Sequence, residues 1–109
     1  MSWLEVCASA HLASNRGVAA LFGEQQVAVF HVAELDEVLA IDNVDPFSGA
    51  AVMSRGIIGS VGETVTVASP VYKQRFDLRT GACLENPDVR VATFPARVVD
   101  GRVEVEVPA

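Results

Sequence analysis

The fold of this chain is decided by two short stretches, Asp45-Pro46-Phe47 and Ser69-Pro70-Val71-Tyr72, and by the run Arg75-Phe76-Asp77-Leu78-Arg79-Thr80-Gly81 that follows the second. In both stretches a small polar residue precedes a proline, and an aromatic residue comes shortly afterwards. Such pairs are typical of turns and loops. Gln74–Leu78 predicts a short strand that ends in the turn Arg79-Thr80-Gly81. We therefore expect two loops, the second leading directly into a strand.

The remainder of the chain has the pattern of a β protein. Valine occurs 19 times and leucine 7 times, and enrichment in a β-branched residue favours strands. No segment repeats apolar residues at the helical period over three turns. The glycine-rich segment from Pro46 to Gly62 is predicted as loop. The predicted strands are Trp3–Ala8, Val18–Phe22, Gln26–Val32, Val38–Ile41, Glu63–Ala68, Gln74–Leu78, Val89–Phe94, Ala96–Val99 and Arg102–Val107.

The strand Gln26–Val32 is predicted to lie at the centre of the structure, because both of its faces are apolar. Side chains alternate between the two faces of a strand, and a strand that is apolar on both faces suits the middle of a sandwich or small barrel. One face carries Val27, Val29 and His31, and the other carries Ala28, Phe30 and Val32.

The last two predicted strands are joined by Asp100-Gly101, the strongest hairpin signal in the chain. A type I′ turn needs positive φ at both central residues, and Asp-Gly meets that need. In the final strand, Val103, Val105 and Val107 are expected to face inward, with the charged residues between them facing outward.

Length and charge limit the class of protein. The 109 residues predict one domain, 1–109. No run of about 18 apolar residues is present, so no membrane span is expected. The N-terminal sequence has no pattern of a secretory signal. The formal net charge of −6 argues against nucleic-acid binding, which requires a clustered basic surface.

The chain has few residues that could bind a metal or carry out catalysis. Two cysteines and two histidines match a Cys₂His₂ set in number, but only Cys7 and His11 are close in sequence, so no zinc signature results. We expect Cys7 and Cys83 to be free thiols, His31 to be a strand residue with a bonded ring nitrogen, and His11 to lie in an exposed turn. Glycines 56, 59 and 62 lack the spacing of a phosphate-binding loop and are attributed to turn geometry.

The two loops resemble those of a Rieske iron–sulfur domain. One Rieske loop supplies C-P-H and the other C-P-W-H-G, after which the chain typically continues as R-F-D-L-x-T-G. Here Asp45 and Ser69 stand at the cysteine positions, and Phe47 and Tyr72 stand at the histidine positions. A Rieske cluster needs two thiolates on one iron and two imidazoles on the other. The resemblance therefore implies that the fold is kept and that the cluster is lost.

The fold implied by this resemblance is all-β: a Rieske-like domain of two antiparallel sheets, in a sandwich or small barrel, with a loop-bearing subdomain from about Asn43 to Cys83. We expect the rings of Phe47 and Tyr72 to fill the space of the cluster and its imidazoles. Asp45 or Ser69 is expected to accept hydrogen bonds from loop amides.

The chain is similar to one family in particular, the small subunit of the cytoplasmic, NAD(P)H-dependent assimilatory nitrite reductase. The similarity is carried mainly by the segments 54–59, 69–78 and 80–84, with weaker support from 17–21, 27–30 and the Asp100-Gly101 hairpin. It implies a partner large subunit that carries FAD, sirohaem and an iron–sulfur cluster and reduces nitrite to ammonium. For this chain it implies no cofactor, no metal and no catalytic residue, with a structural or regulatory role.

A surface for contact with the large subunit is expected around the two loops. Two adjacent isoleucines beside cations and a tyrosine are typical of interface anchors. An alternative is that the isoleucines pack beneath the loops and serve only the fold. Two other functions stay open: a Rieske-type ferredoxin that carries electrons, and a free-standing protein-binding module. The predicted contact residues are Arg55, Ile57, Ile58, Tyr72, Lys73 and Arg75.

Overall fold

The computed structural model describes residues 2–108, which form ten strands and two short 3₁₀ helices, Ser9–His11 and Met53–Arg55. The all-β prediction is confirmed. The strands are β1 Ser2–Ala8, β2 Gly17–Phe22, β3 Gln25–Val32, β4 Glu37–Asp42, β5 Ile57–Val61, β6 Thr64–Ala68, β7 Arg75–Asp77, β8 Thr93–Phe94, β9 Ala96–Val99 and β10 Arg102–Val107.

The strands of residues 2–108 form three sheets rather than the two that the sequence predicts. The first has the order β1-β10-β9, the second β2-β3-β4-β8 and the third β5-β6-β7. Every pairing between neighbouring strands is antiparallel. The third sheet falls inside the segment predicted as the loop-bearing subdomain, so the two loops project from a sheet of their own.

The second sheet is the middle layer, because β3 contributes to two separate cores. Alternate residues of β3 face opposite sides, as the sequence predicts for this strand. The core shared with the first sheet contains Leu12, Val27, Val29, Val38, Ala40, Val103, Val105 and Val107. The core shared with the third sheet contains Ala28, Phe30, Val32, Ile41, Met53, Val65, Val67, Phe76, Leu78, Cys83 and Val91.

The hairpin between β9 and β10 has the predicted turn. Asp100 has φ 51° and Gly101 has φ 75°, which are the positive values that a type I′ turn requires. The register that follows pairs Val99 with Arg102 and Val98 with Val103. The inward-facing valines of β10 are buried, as predicted.

The prediction of loop from Pro46 to Gly62 is wrong over its second half. A 3₁₀ helix occupies Met53–Arg55, and β5 occupies Ile57–Val61. Two of the glycines that suggested loop do not lie in turns. A Cβ atom on Gly56 would lie 2.6 Å from the Ala68 carbonyl oxygen, and Gly59 lies inside β5. Turn geometry with positive φ accounts only for Gly62 among these three glycines, at φ 61°.

The predicted strand Val89–Phe94 is reduced to β8, Thr93–Phe94. Its earlier part makes irregular pairings instead of a regular ladder. The Cys83 N–H donates to the Val89 carbonyl at 3.0 Å, and the Val91 N–H donates to the Gly81 carbonyl at 2.9 Å. These bonds satisfy the backbone and hold the turn at Gly81 against the segment that leads into β8.

The residues weighed as metal ligands are dispersed. Cys7 and Cys83 are free, and His31 Nε2 lies 3.2 Å from Asp36 Oδ1, as expected for a bonded ring nitrogen. His11 is exposed at the end of the first 3₁₀ helix. Over residues 2–108, no helix has the length and apolar character needed to cross a membrane.

Candidate functional site

The candidate site consists of two loops that lie side by side: the first loop, residues 43–52, and the second loop, residues 69–74. The first loop begins immediately after β4, and the second follows β6. Asn43 anchors the first loop, because its N–H donates to the Gln26 carbonyl at 3.1 Å and its Oδ1 accepts from the Ser54 N–H at 2.8 Å. The Ser69 N–H closes the second loop by donating to the Gln74 carbonyl at 2.9 Å. Backbone bonds therefore fix both loops.

A hydrogen bond between two buried side chains joins the loops. The Ser69 hydroxyl donates to Asp45 Oδ2 at 2.5 Å, and both residues are 0% exposed. Asp45 Oδ1 accepts from the Phe47 N–H at 2.8 Å, and Ser69 Oγ accepts from the Val71 N–H at 3.3 Å. The expectation that Asp45 or Ser69 accepts bonds from loop amides is confirmed for both residues. These are the two positions at which a Rieske domain has cysteines.

The Asp45 carboxyl is held in its ionised form. Burial raises its pKa, but the hydrogen bonds that it accepts from the Ser69 hydroxyl and the Phe47 N–H, with further ones from Ser48, outweigh burial. The pKa of Asp45 therefore lies below its ordinary value, because these donors stabilise the carboxylate. An ionised acceptor also makes the bond to Ser69 stronger than a bond between neutral groups.

This arrangement predicts a specific loss of stability in acid. Because the folded pKa of Asp45 is below the unfolded value of about 3.9, the carboxylate stabilises the fold above about pH 4. That stabilisation is lost as the pH falls through the folded pKa. We expect the difference in unfolding free energy between wild type and Asp45→Asn to shrink below about pH 4. Urea denaturation across the acid range measures it, and a difference independent of pH would contradict the prediction.

The two aromatic residues of the loops behave differently. Phe47 is half-buried, packs against the core beneath the loops, and has its ring centroid 6.2 Å from that of Phe76. Tyr72 is 60% exposed. The expectation that both rings fill the space of the cluster and its imidazoles is therefore wrong for Tyr72, whereas Phe47 packs inward against the core. The phenol of Tyr72 is displayed to solvent at the tip of the second loop.

The second loop contains a strained backbone position at Lys73. Its φ is 68°, in the left-handed region that a residue with a Cβ atom rarely adopts. Lys73 stands at the glycine of the C-P-W-H-G pattern, so a lysine here has the backbone conformation that suits glycine. Its N–H donates to the Ser69 carbonyl at 3.1 Å, and its Nζ donates to the Pro70 carbonyl at 3.0 Å. These bonds hold the loop in shape despite the strain.

Most of the six predicted contact residues are exposed near the loops. Arg55 ends the 3₁₀ helix after the first loop, and Ile57, 70% exposed, lies opposite Ala68, the residue before Ser69. Tyr72 and Lys73 are exposed at the tip of the second loop. Ile57 lies in a strand, not in the flexible loop suggested by the sequence.

The other two predicted contact residues, Ile58 and Arg75, are already engaged in contacts within the chain. Ile58 is half-buried and packs against the core shared with the third sheet, so the alternative that an isoleucine serves the fold applies to it. The Arg75 guanidinium donates from Nε to Glu85 Oε2 at 2.7 Å. Val71, 41% exposed beside Tyr72, is a surface residue that sequence reasoning omitted. In the sequence, its position between Pro70 and Tyr72 in the second loop was the signal that could have indicated this exposure.

The three sheets and the paired loops define a Rieske-like domain. The family model described as a Rieske-like [2Fe-2S] domain matches residues 2–106 of the chain. The match agrees with the layer arrangement and with the position of the loops at the end of a separate small sheet.

Similarity to individual proteins is more specific. The nitrite reductase (NADH) small subunit of Escherichia coli (strain K12) is 42% identical over 103 residues, which cover 94% of this chain and 95% of that protein. A crystal structure from Mycobacterium tuberculosis, described as a candidate NADH-dependent nitrite reductase small subunit, matches with a TM-score of 0.92 at 48% identity, covering 99% of this chain and 97% of the other. The chain belongs to the family of nitrite reductase small subunits.

A third relative has a different size. A segment of the nitrite reductase [NAD(P)H] large subunit of Klebsiella oxytoca is 38% identical to this chain over 103 residues, covering 94% of the chain. The matched segment makes up 11% of that protein. A domain of this kind therefore also occurs within a much longer polypeptide.

The cluster in the name of the Rieske-like family does not fit the residues of this chain. A carboxylate, a hydroxyl, a phenyl ring and a phenol stand where two thiolates and two imidazoles are required. The side chains of Asp45 and Ser69 are hydrogen-bonded to each other, and Tyr72 faces solvent. Among residues 2–108, no group of three or more His, Cys, Asp or Glu side chains is placed to hold a metal ion.

Proposed function

We propose that this chain is the non-catalytic small subunit of a cytoplasmic NAD(P)H-dependent nitrite reductase that serves nitrate assimilation. The observation that carries the proposal is 42% identity to the E. coli small subunit along nearly the whole of both proteins. In such a complex the large subunit would carry FAD, sirohaem and an iron–sulfur cluster. The family resemblance implies that this partner reduces nitrite to ammonium.

The geometry of the loops supports a role without chemistry of its own. The most buried polar side chains of the site, Asp45 and Ser69, are engaged with each other and with loop amides. An acid–base residue has to present its titratable group to a substrate, and the Asp45 carboxylate is turned inward. What the loops offer to the outside is an aromatic ring, an isoleucine and cations.

The Klebsiella relative supports a partnership with the large subunit. That protein is a nitrite reductase large subunit that contains a segment similar to this chain. Two units that occur in one polypeptide in one relative and separately in another are expected to work in the same assembly. We infer that the present chain binds a large subunit in trans.

The surface proposed for this contact is the loop face, defined as Arg55, Ile57, Ile58, Tyr72, Lys73 and Arg75. Its exposed apolar part consists of Ile57 and Tyr72, and these are the side chains we propose as anchors. Neither Arg55 nor Lys73 forms an ion pair within residues 2–108. Although the chain carries a net charge of −6, this face is basic. It fits an acidic, partly apolar surface of the large subunit.

Co-purification tests the proposal directly. A tagged copy of the chain, expressed in nitrate-grown cells of its own source, is expected to recover a large protein with flavin and sirohaem absorption. If no such protein is recovered, the assignment as a subunit fails. The purified chain alone is expected to be colourless. A reddish-brown chain with stoichiometric iron and sulfide would instead support the ferredoxin alternative.

Charge reversal at Arg55 is expected to weaken the complex. Arg55→Glu places a carboxylate opposite the acidic partner surface and should raise the dissociation constant roughly tenfold or more, because like charges at an interface repel. The melting temperature of the isolated chain should remain nearly unchanged, since Arg55 is exposed. Surface plasmon resonance with immobilised large subunit measures the first quantity, and calorimetry measures the second.

Arg90→Glu is the matched control. Arg90 is exposed and lies outside the loop face. Because both variants replace an arginine by a glutamate, they have the same net charge. Equal weakening by both variants would show that only net charge matters. Unchanged binding by Arg55→Glu, together with a large drop in its melting temperature, would assign Arg55 to the fold.

A further inference from the structure

The third sheet has an open edge at β5. This strand pairs with β6 from Ile57 opposite Ala68 to Val61 opposite Thr64, and no second partner occurs in the described part of the chain. Four of its five residues are exposed, and none is charged. Monomeric proteins usually protect an exposed edge with charges, proline or a bulge. The β5 edge has none of these.

The backbone groups on the open edge can be identified. The Leu78 N–H donates to the Val65 carbonyl at 3.0 Å, so Val65 directs its backbone groups toward β7. Alternate residues of an antiparallel strand direct these groups to opposite sides. Thr64, Thr66 and Ala68 therefore bond to β5, and the residues of β5 opposite them are already paired. The N–H and C=O groups of Ile58 and Ser60 point to the open edge.

The geometry points to a second copy of this chain as the partner of this edge. The sequence around β5 reads Arg55-Gly-Ile-Ile-Gly59-Ser-Val-Gly-Glu63. If two copies pair antiparallel with Gly59 of each on a twofold axis, Ile58 of one copy lies opposite Ser60 of the second copy. Both residues direct their backbone groups to this edge, so each such pair forms two hydrogen bonds, and the twofold axis produces two such pairs.

The side chains are complementary in the same register. Ile57 lies opposite Val61 of the second copy on the outer face of the sheet, where the two are 70% and 44% exposed in a single chain. At the ends of the paired strands, Arg55 of one copy comes near Glu63 of the other. Both residues are exposed, and neither is in an ion pair within residues 2–108. Because of the twofold axis, this contact between Arg55 and Glu63 occurs twice, and each time it joins opposite charges.

Another uncharged edge strand, β2, is a poorer candidate. A Cβ atom on Gly17 would lie 2.5 Å from the Ser54 carbonyl oxygen, so the segment at Met53–Arg55 packs closely on one face of the sheet at the start of β2 and leaves less room there for a second chain. Beside β5, by contrast, a cleft of about 200 Å³ separates Ile58, Gly59 and Ser60 from Asn15 and Glu34 of the main sandwich. This cleft leaves space beside the middle of β5.

We expect a weak dimer. Pairing of five residues buries less surface than the roughly 1,200–2,000 Å² of a stable interface. The net charge of −6 on each copy also opposes association. The dimer should therefore form only as the protein concentration rises. At about 0.15 M salt the Debye length is about 8 Å, so the repulsion between the two copies is screened.

A charge-exchange experiment tests the register. Sedimentation equilibrium of the isolated chain is expected to show that Arg55→Glu and Glu63→Arg each raise the dimer dissociation constant about tenfold, because each variant places like charges opposite each other twice. The double variant Arg55→Glu/Glu63→Arg should restore dimerisation. A wild type that stays monomeric at millimolar concentration, or a double variant no better than the singles, would overturn the proposal.

Amide exchange gives a second, independent measurement. As dimer forms, hydrogen exchange of the Ile58 and Ser60 N–H groups should slow, while that of Gly59, already bonded to β6, should change little. Protection that appears on β2 instead would assign the dimer to the other edge and overturn this inference. Because the isolated chain is measured, the outcome is separate from binding to a large subunit. The double variant is not expected to restore affinity for that subunit.

Discussion

Replacement of Asp45 by alanine is expected to lower the free energy of unfolding by about 3–5 kcal/mol. Asp45 is fully buried and accepts from the Ser69 hydroxyl at 2.5 Å and from the Phe47 N–H at 2.8 Å. A hydrogen bond to a charged group contributes about 1.5–3 kcal/mol, and alanine leaves the buried Ser69 hydroxyl and the part-buried Phe47 N–H without this acceptor. The melting temperature should fall by at least about 12 °C, at about 4–8 °C for each kcal/mol.

Two further variants, Ser69→Ala and Asp45→Asn, distinguish the loss of hydrogen bonds from the loss of side-chain volume in Asp45→Ala. Ser69→Ala removes the hydrogen bond to the Asp45 carboxylate and the longer one from the Val71 N–H. It should destabilise by about 1.5–3 kcal/mol, less than Asp45→Ala, because the Asp45 carboxylate keeps its bond from the Phe47 N–H. Asp45→Asn keeps a side-chain oxygen that can accept from the Phe47 N–H. Its destabilisation should therefore lie between those of Ser69→Ala and Asp45→Ala. In a double-mutant cycle, Asp45 and Ser69 should show a coupling energy of about 1 kcal/mol or more. A loss below about 1 kcal/mol for Asp45→Ala would contradict the assignment of this bond as the link between the loops.

Replacement of Gly81 by alanine should destabilise the chain by at least about 3 kcal/mol. Gly81 has φ 80°, and a Cβ atom there would lie 2.1 Å from the Val91 carbonyl oxygen. The left-handed conformation alone costs a residue with a Cβ atom about 1–2 kcal/mol. The clash adds to this, because the Gly81–Val91 pairing would have to separate. Chemical denaturation measures the change, and a variant that does not fold agrees with it.

Gly59→Ala is the matched control for Gly81→Ala. Its added Cβ would lie 3.5 Å from Thr66 Oγ1, an ordinary contact, and the backbone of β5 is extended there. Glycine inside a strand is destabilising relative to alanine by about 0.5–1 kcal/mol, so this variant should be neutral or slightly stabilising. Measured at low protein concentration, equal destabilisation by both variants would show that the contact with Val91 does not govern Gly81.

The parts of the fold that follow from local chemistry were predictable from the sequence. Alternation of apolar residues placed β3 between two cores, and Asp100-Gly101 fixed the turn between β9 and β10 because only a few residues tolerate positive φ at both positions. The two loops were located by the resemblance of their sequences, and of the run that ends at Gly81, to those of a Rieske domain. Each of these inferences depends on neighbours in the chain.

The parts that depend on distant contacts were not predictable. Gly56 and Gly59 read as loop residues, yet Gly56 is required by the close approach of Ala68, a contact across the third sheet. The ion pair of Arg75 with Glu85 also joins residues ten positions apart in the sequence. The exposure of Tyr72 depends on the backbone of the second loop, including the left-handed conformation of Lys73. None of these follows from residue type or spacing.

The bond between Asp45 and Ser69 has a consequence for how the protein matures in the cell. In a metal-bound Rieske domain the loops come together around an inorganic core, so folding is thermodynamically linked to loading of that core. Here the loops are closed by two side chains encoded in the gene. Closure of the two loops in this structure therefore depends on a hydrogen bond between side chains of the chain itself, which forms as the chain folds.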